Sequence, residues 1–134
     1  MKTCQILVTG GAGFIGNSLV KFLLKKEENF VTVFDNFSVT NNLKDVSSNN
    51  LSILKGDLAS LSDLDRLSRN FDVIYHLAAD PEVRLTVTNS QSIFKNNILA
   101  TFNLLEWAKD TCAQTILFAS SSTVYGDASL IPTP

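Results

Sequence analysis

The chain has 134 residues, of which 45% are hydrophobic and 18% charged, the profile of one ordinary domain with a buried core. Its net charge of −2 offers no broad electrostatic attraction for nucleic acid, and no apolar run approaches the ~20 residues of a membrane span. No signal-peptide pattern opens the sequence, and Cys4 and Cys112 lie far apart without zinc-ligand spacing, so no metal site is expected and the thiols read as free in a cytoplasmic protein.

Strands and helices alternate along the chain. The first strand covers residues 5–9 and runs into the stretch 10–16 (GGAGFIG), which holds four of the six glycines. A helix over residues 13–26 follows, with Ile15, Leu19, Val20, Phe22 and Leu23 as its apolar positions. Residues 30–35 (FVTVFD) are a second strand, rich in β-branched and aromatic residues. Residues 38–50 are polar and asparagine-rich, a loop with one short helix at 42–46. A third strand at Leu51–Lys55 ends in Gly56-Asp57-Leu58, and Ser60 or Ser62 caps a helix over 61–70. Residues 72–77 are a fourth strand, 89–111 a long helix and 114–119 a fifth strand, followed by Ser120, Ser121, Ser122 and Thr123.

This alternation predicts an α/β fold with a doubly wound parallel sheet, Rossmann-like, in the strand order 3-2-1-4-5. Such a sheet binds ligands beyond the carboxyl ends of its strands. The polar and glycine-bearing segments do follow the strands, at residues 10–16, 35–36, 56–57, 78–80 and 120–123.

The glycines fit two templates. Gly11, Gly13 and Gly16 match G-x-G-x-x-G, and Gly10, Gly13 and Gly16 match G-x-x-G-x-x-G. Between a strand and a helix, such a loop lets the backbone turn sharply and aims the helix's unpaired N–H groups at a pyrophosphate. Asp35 ends the second strand 19 residues after Gly16. A carboxylate there accepts hydrogen bonds from both ribose hydroxyls and repels a 2′-phosphate, which favours NAD over NADP. Asp57 reads in two ways, as an acceptor for an adenine amino group with Leu58 packed on the ring, or as part of a plain turn.

In the long helix, Ile93, Phe94, Ile98, Leu104, Leu105 and Ala108 fall on one apolar arc that also contains Asn97 and Thr101. A buried amide needs partners, so Asn97 either braces the backbone at the strand ends or holds groups lining a nicotinamide site. Leu99 and Phe102, on the other arc, mark a subunit contact or the edge of the core.

Together these residues resemble the extended short-chain dehydrogenase/reductase family, and within it the UDP-glucose 4-epimerases and related nucleotide-sugar epimerases. Residues 9–16 (TGGAGFIG) are similar to that family's cofactor loop, and Asp35-Asn36, Gly56-Asp57-Leu58 and His76-Leu77-Ala78-Ala79 to its next cofactor segments. Residues 97–105 (NILATFNLL) resemble its N-x-x-G-T-x-N-L-L helix, with Ala100 in place of the glycine. The resemblance implies NAD contacts from Gly10, Gly13, Phe14, Ile15 and Gly16, from Asp35 and Asn36, and from Asp57 and Leu58. It implies further contacts from Leu77, Ala78 and Ala79, from Asn97, and from Ala119 at the end of the fifth strand.

Residues 121–126 (SSTVYG) resemble the segment carrying the family's catalytic hydroxyl, which falls here on Ser121. Sugar dehydratases carry an acidic pair directly after that position, where this chain has Ser122 and Thr123, and UDP-glucuronate decarboxylases carry a glutamate in place of Thr123. Epimerisation needs no added acid, so the resemblance points to an epimerase. Residues 80–84 (DPEVR) resemble a substrate-side loop, in which Arg84 meets a substrate phosphate or carboxylate, or is an ordinary surface arginine. His76 and Tyr125 take structural roles by the same resemblance.

The family's general base, the tyrosine of Tyr-x-x-x-Lys, has no counterpart here, since neither Tyr75 nor Tyr125 has a lysine four residues on. The chain is therefore expected to be an incomplete NAD-binding domain, the amino-terminal part of an enzyme whose sugar-binding region is absent, and inactive by itself. The intact relative acts on a UDP-sugar, as a homodimer, without nucleic acid or membrane. The alternatives are a non-catalytic dinucleotide-binding module, or a dehydratase, decarboxylase or reductase of the same family.

Overall fold

A computed structural model describes residues 3–81 and 89–126. At its centre β1 (Cys4–Thr9) lies between β2 (Asn29–Asp35) and β4 (Val73–His76), with β3 (Leu51–Lys55) and β5 (Thr115–Phe118) outside them. Every ladder is parallel and the order is β3-β2-β1-β4-β5, as the alternation of strands and helices predicts.

Side chains of β1 alternate between two cores, as the pleat requires. Ile6 and Val8 pack with Val20 and Leu23 of α1 (Phe14–Leu23) and with Val31, Val33 and Leu43. Leu7 faces the other way, toward Phe34, Leu64, Phe71, Ile74, Leu104 and Trp107. Burying each of these large side chains stabilises the fold by about 1.5–3 kcal/mol, so the sheet is held from both faces.

Three helices differ from the sequence reading. α1 stops at Leu23, short of residue 26, because the Asn29 amide donates to the Leu23 carbonyl at 2.8 Å and turns the chain into β2. α2 (Leu61–Leu64) is a single turn where residues 61–70 were expected. Beyond it the chain closes i→i+3 turns that still bury Leu67 and Phe71, while Arg69 donates to the Trp107 carbonyl at 2.9 Å. Residues 42–46 form turns and no helix: the Asn41 side chain accepts the Leu43 N–H as a helix start would, but the segment closes with an i→i+3 bond from the Val46 N–H to the Leu43 carbonyl and does not propagate.

The long helix is one continuous rod made of α3 (Ser90–Ile93), a π segment (Phe94–Leu99) and α4 (Ala100–Ala108). Its expected single apolar arc is corrected here. Ala100, Asn103, Leu104, Trp107 and Ala108 are buried, whereas Phe94, Ile98 and Leu105 are exposed and share a second stripe with exposed Phe102. The sheet covers only one side of the rod, and the wider i→i+5 turn shifts the faces before and after it. β4 and β5 are each one residue shorter at both ends than expected, and all four residues of β5 are exposed. Among the described residues no helix is long and apolar enough to cross a membrane, and no cluster of metal-ligating side chains occurs.

Candidate cofactor-binding site

The carboxyl ends of the strands are laced together by single backbone bonds that continue the ladders. Gly10 N–H donates to the Phe34 carbonyl, Leu77 N–H to Thr9, Gly56 N–H to Asp35 and Ala119 N–H to His76, all at 3.0–3.1 Å. The loops leaving β1, β2, β3, β4 and β5 therefore start from one common edge.

Two glycines of the β1–α1 loop are demanded by space. Gly10 has φ +70°, and a Cβ on it would meet the Ala78 backbone at 2.6 Å. A Cβ on Gly16 would lie 2.2 Å from the Gly10 carbonyl, so absence of a side chain is what lets α1 dock on the loop. Gly13 is different. A Cβ there would meet only the Gly10 carbonyl, at 3.3 Å, so the space above it is open toward an incoming group. Gly13 also caps α1 without any side-chain hydrogen bond, and the first turn carries no acidic residue. The first N–H groups of α1 and the positive end of its dipole thus face that space, with exposed Phe14 and Ile15 beside it.

Asp35 is the hub of this loop. Its Oδ2 accepts the Ala12 N–H at 2.9 Å and its Oδ1 the Phe37 N–H at 2.8 Å. The second bond accompanies a left-handed Phe37 backbone, φ +57°, which turns the chain away from the carboxylate. A carboxylate has about four lone-pair positions, so two backbone bonds leave acceptor capacity for hydroxyl donors. The Ala12 carbonyl, in turn, accepts the Thr40 hydroxyl at 3.4 Å and the Asn42 N–H at 3.1 Å, which backs the glycine loop with residues 40–42. Asn36 is exposed and binds the Ser38 N–H through its Oδ1.

Beyond β3, an open pocket is lined by Asn36, Lys55, Gly56, Asp57, Asp63 and Arg66. Asp57 accepts the Ala59 N–H on Oδ1 and the Lys95 ammonium on Oδ2, at 2.9 and 2.7 Å. Burial raises the Asp57 carboxyl, but the Lys95 bond and the Ala59 N–H outweigh it and hold the group below its ordinary value. Asp57 thus shapes a turn and also lines the pocket. Leu58 does not reach that pocket. Its side chain is 5% exposed and packs in the core, and its carbonyl accepts the Asn103 amide at 3.1 Å.

At the exit of β4, Ala78 abuts Gly10 and Ala79 is exposed. Asn97, on the π segment, grips this exit. Its Oδ1 accepts the Asp80 N–H at 2.7 Å and its amide donates to the Asp80 carbonyl at 3.0 Å. This is the bracing role among the two that the sequence left open. His76 lies inside the sheet, bonded through Nδ1 to the Thr9 hydroxyl and through Nε2 to the Thr101 hydroxyl. Burial pushes its imidazole down to about 4, so the ring is neutral at ordinary pH.

After β5, Ala119 and Ser121 are exposed, and the Ser121 carbonyl opens the 3-10 turn Ser122–Tyr125 by accepting the Val124 N–H. Arg84 lies outside the described residues.

A groove with N–H donors at one strand end and a carboxylate at the next fits a dinucleotide. Residues 6–133 match the family model of the NAD-dependent epimerase/dehydratase family. The chain belongs to that family. NAD is the cofactor from which the family takes its name, and the cradle over Gly13 together with the Asp35 carboxylate fits it.

Among members of the family, the bifunctional UDP-glucose and UDP-xylose 4-epimerase 1 of Pisum sativum is 39% identical over 140 residues, covering 96% of this chain and 39% of the pea protein. The structure of UDP-N-acetylglucosamine 4-epimerase from Methanobrevibacter ruminantium, in complex with UDP-N-acetylmuramic acid, superposes with a TM-score of 0.86 at 36% identity, covering 98% of this chain and 42% of that one. UDP-glucuronic acid 4-epimerase of Bacillus cereus, in complex with NAD and a fluorinated UDP-glucuronic acid, gives a TM-score of 0.85 at 36% identity, with coverage of 94% and 43%. The chain therefore spans about two-fifths of the length of these relatives.

Sequence reasoning missed Lys95 and the Thr40–Asn42 support. Lys95 reaches Asp57 across 38 residues and Thr40 reaches Ala12 across 28, so no local spacing signals either pair.

Proposed function

We propose that this chain is the NAD-binding portion of a nucleotide-sugar epimerase of the UDP-glucose 4-epimerase type. The observation that carries the reading is the glycine cradle facing Asp35, in a chain whose catalytic-segment serine, Ser121, is followed by Ser122 and Thr123 and by no acid. The N–H groups at the start of α1, left open above Gly13 on a loop that Gly10 and Gly16 allow to close, hold the pyrophosphate, flanked by Phe14 and Ile15. Asp35 binds the adenosine ribose with Asn36 beside it, and Asp57 receives the adenine amino group. The backbone at Leu77, Ala78 and Ala79, braced by Asn97, and the exit at Ala119 line the nicotinamide half. Ser121 hydrogen-bonds the reacting sugar hydroxyl, and Arg84 meets an anionic group of the substrate.

Bound NAD supplies the hydride acceptor and donor that inversion at C4 through a transient 4-keto sugar requires. The matched relatives extend well beyond the shared stretch, so we place the Tyr-x-x-x-Lys pair and the sugar-binding region in sequence carboxyl-terminal to it. Residues 1–134 alone then bind NAD without turnover. The stripe of Phe94, Ile98, Phe102 and Leu105 supports self-association of the protein as a homodimer. The substrate of the intact enzyme is a UDP-sugar in the cytoplasm.

Two measurements test this. Calorimetry with the 134-residue chain is expected to show NAD binding, and more weakly NADP. The continuous reading frame, expressed whole, is expected to interconvert UDP-glucose and UDP-galactose or the corresponding uronic acids. A well-folded, NAD-loaded protein inert on that panel rejects the epimerase. A stop codon directly after Pro134, with NAD(H)-dependent capture of a protein partner, favours a non-catalytic module.

A further inference from the structure

We propose that His76 is a positioning residue, a neutral ring with its hydrogen on Nε2 that wires the glycine loop to the long helix and so sets the shape of the cofactor groove. The inference rests on the NAD-binding reading above for its consequence and on hydrogen-bond directions for its content.

The direction follows from counting hydrogens. The Thr101 hydroxyl has one hydrogen and donates it to the Asn97 carbonyl at 2.7 Å. Toward His76 Nε2, 2.9 Å away, the same oxygen is left only to accept. Nε2 therefore carries the ring hydrogen. In a neutral imidazole Nδ1 is then bare, and it accepts from the Thr9 hydroxyl at 2.7 Å. The chain runs one way, from Thr9 through His76 and Thr101 to the Asn97 carbonyl. The Asn97 side chain continues it by gripping both backbone groups of Asp80.

Each end of this chain lies on a segment that faces the groove. Thr9 precedes Gly10, which has no room for a side chain beside the Ala78 backbone, and Asp80 follows Ala79. A shift of the ring moves the β1 exit and the β4 exit together. Thr9 is fully buried and His76 is 2% exposed, so no water replaces a lost partner. Thr9, Thr101 and Phe118 face the ring from β1, α4 and β5, Phe118 at 5.4 Å between ring centroids, and all three are uncharged. A second proton on the ring would turn Nδ1 into a donor and leave the Thr9 hydrogen without an acceptor in that buried place. The environment selects one tautomer and opposes the cation.

The chain contains a single histidine, which makes the test direct. Long-range proton–nitrogen NMR on the ¹⁵N-labelled 134-residue chain is expected to show a protonated Nε2 and a bare Nδ1 at pH 7. A protonated Nδ1, or the averaged signal of a freely exchanging ring, overturns the proposal. NAD calorimetry supplies the second readout. Thr101→Val removes the hydroxyl while keeping its volume and is expected to weaken NAD binding several-fold, with Thr101→Ser restoring it. A folded Thr101→Val variant with wild-type NAD affinity overturns the positioning role. Should Thr101→Val fail to fold, the tautomer spectrum of the unmodified chain still decides. Failure of the unmodified chain to bind NAD, with the expected tautomer present, rejects the dinucleotide reading and the affinity role while upholding the hydrogen-bond chain.

Discussion

Asp35 shows how one side chain serves folding and binding together. Its two oxygens hold the Ala12 and Phe37 N–H groups, which fixes the glycine loop against the end of β2 before any ligand arrives. Hydrogen bonds to a charged group contribute about 1.5–3 kcal/mol each. Asp35→Ala is therefore expected to weaken NAD binding by about tenfold to a hundredfold, and to narrow the preference over NADP, because a 2′-phosphate no longer meets a carboxylate. Calorimetric titration of both dinucleotides checks this, and an unchanged NADP-to-NAD ratio contradicts the ribose role. His76 carries a pH prediction. Its folded-state value of about 4 lies below the ordinary 6.5, so between these the unfolded chain binds a proton that the folded chain refuses. Stability is full above pH 6.5, falls as the pH drops toward 4 and levels off below it. The loss from this ring is about 3 kcal/mol. Urea denaturation across that range, with His76→Gln as reference, is expected to show a steeper slope in the unmodified chain, and equal slopes contradict the prediction.

At the scale of elements, the β1–α1 junction separates glycines that serve packing from one that serves access. Gly16→Ala places a methyl 2.2 Å from the Gly10 carbonyl, inside the docked helix, and is expected to cost about 1–3 kcal/mol or more in denaturant unfolding. Gly13→Ala places its methyl 3.3 Å from its nearest neighbour. It is expected to leave the unfolding midpoint near that of the parent while reducing NAD affinity, since the methyl fills the cradle. A Gly13→Ala variant that binds NAD normally shows the phosphates lie elsewhere. The strand-then-glycine pattern made this junction legible in the sequence, because turn, strand and helix signals there are all local. The long helix was less legible. Its α-helical periodicity merged two stripes into one arc, whereas in the structure Asn97 bonds residue 80 and Thr101 bonds His76 while Phe94 and Ile98 are exposed.

The whole molecule leaves apolar surface on the long helix and on β5. Phe94, Ile98, Phe102 and Leu105 line the outer face of the long helix, and Ile116, Leu117 and Phe118 are exposed on the edge strand β5. An edge strand offers unpaired backbone groups for association, and the apolar helical stripe adds area to bury. The chain is expected to self-associate with rising concentration, and Phe102→Asp to shift it toward monomer in sedimentation equilibrium. A monomer at high concentration without the substitution argues against that face as a contact. Because Phe102 lies outside both cores, the same variant is expected to change unfolding stability by less than about 0.5 kcal/mol.

The sequence by itself determined the five strands, the order of the sheet, the glycine loop and the Asp35 position, because each rests on local periodicity, turn chemistry and the handedness of crossovers. Only the tertiary structure decided that Leu58 turns into the core, that Lys95 reaches Asp57, that Asn97 braces residue 80, and that His76 sits between two threonines. Those pairings join residues 17 to 67 positions apart. Their chemistry exists only once the sheet has brought the ends of its strands to one edge, and no spacing along the chain encodes which partners meet there.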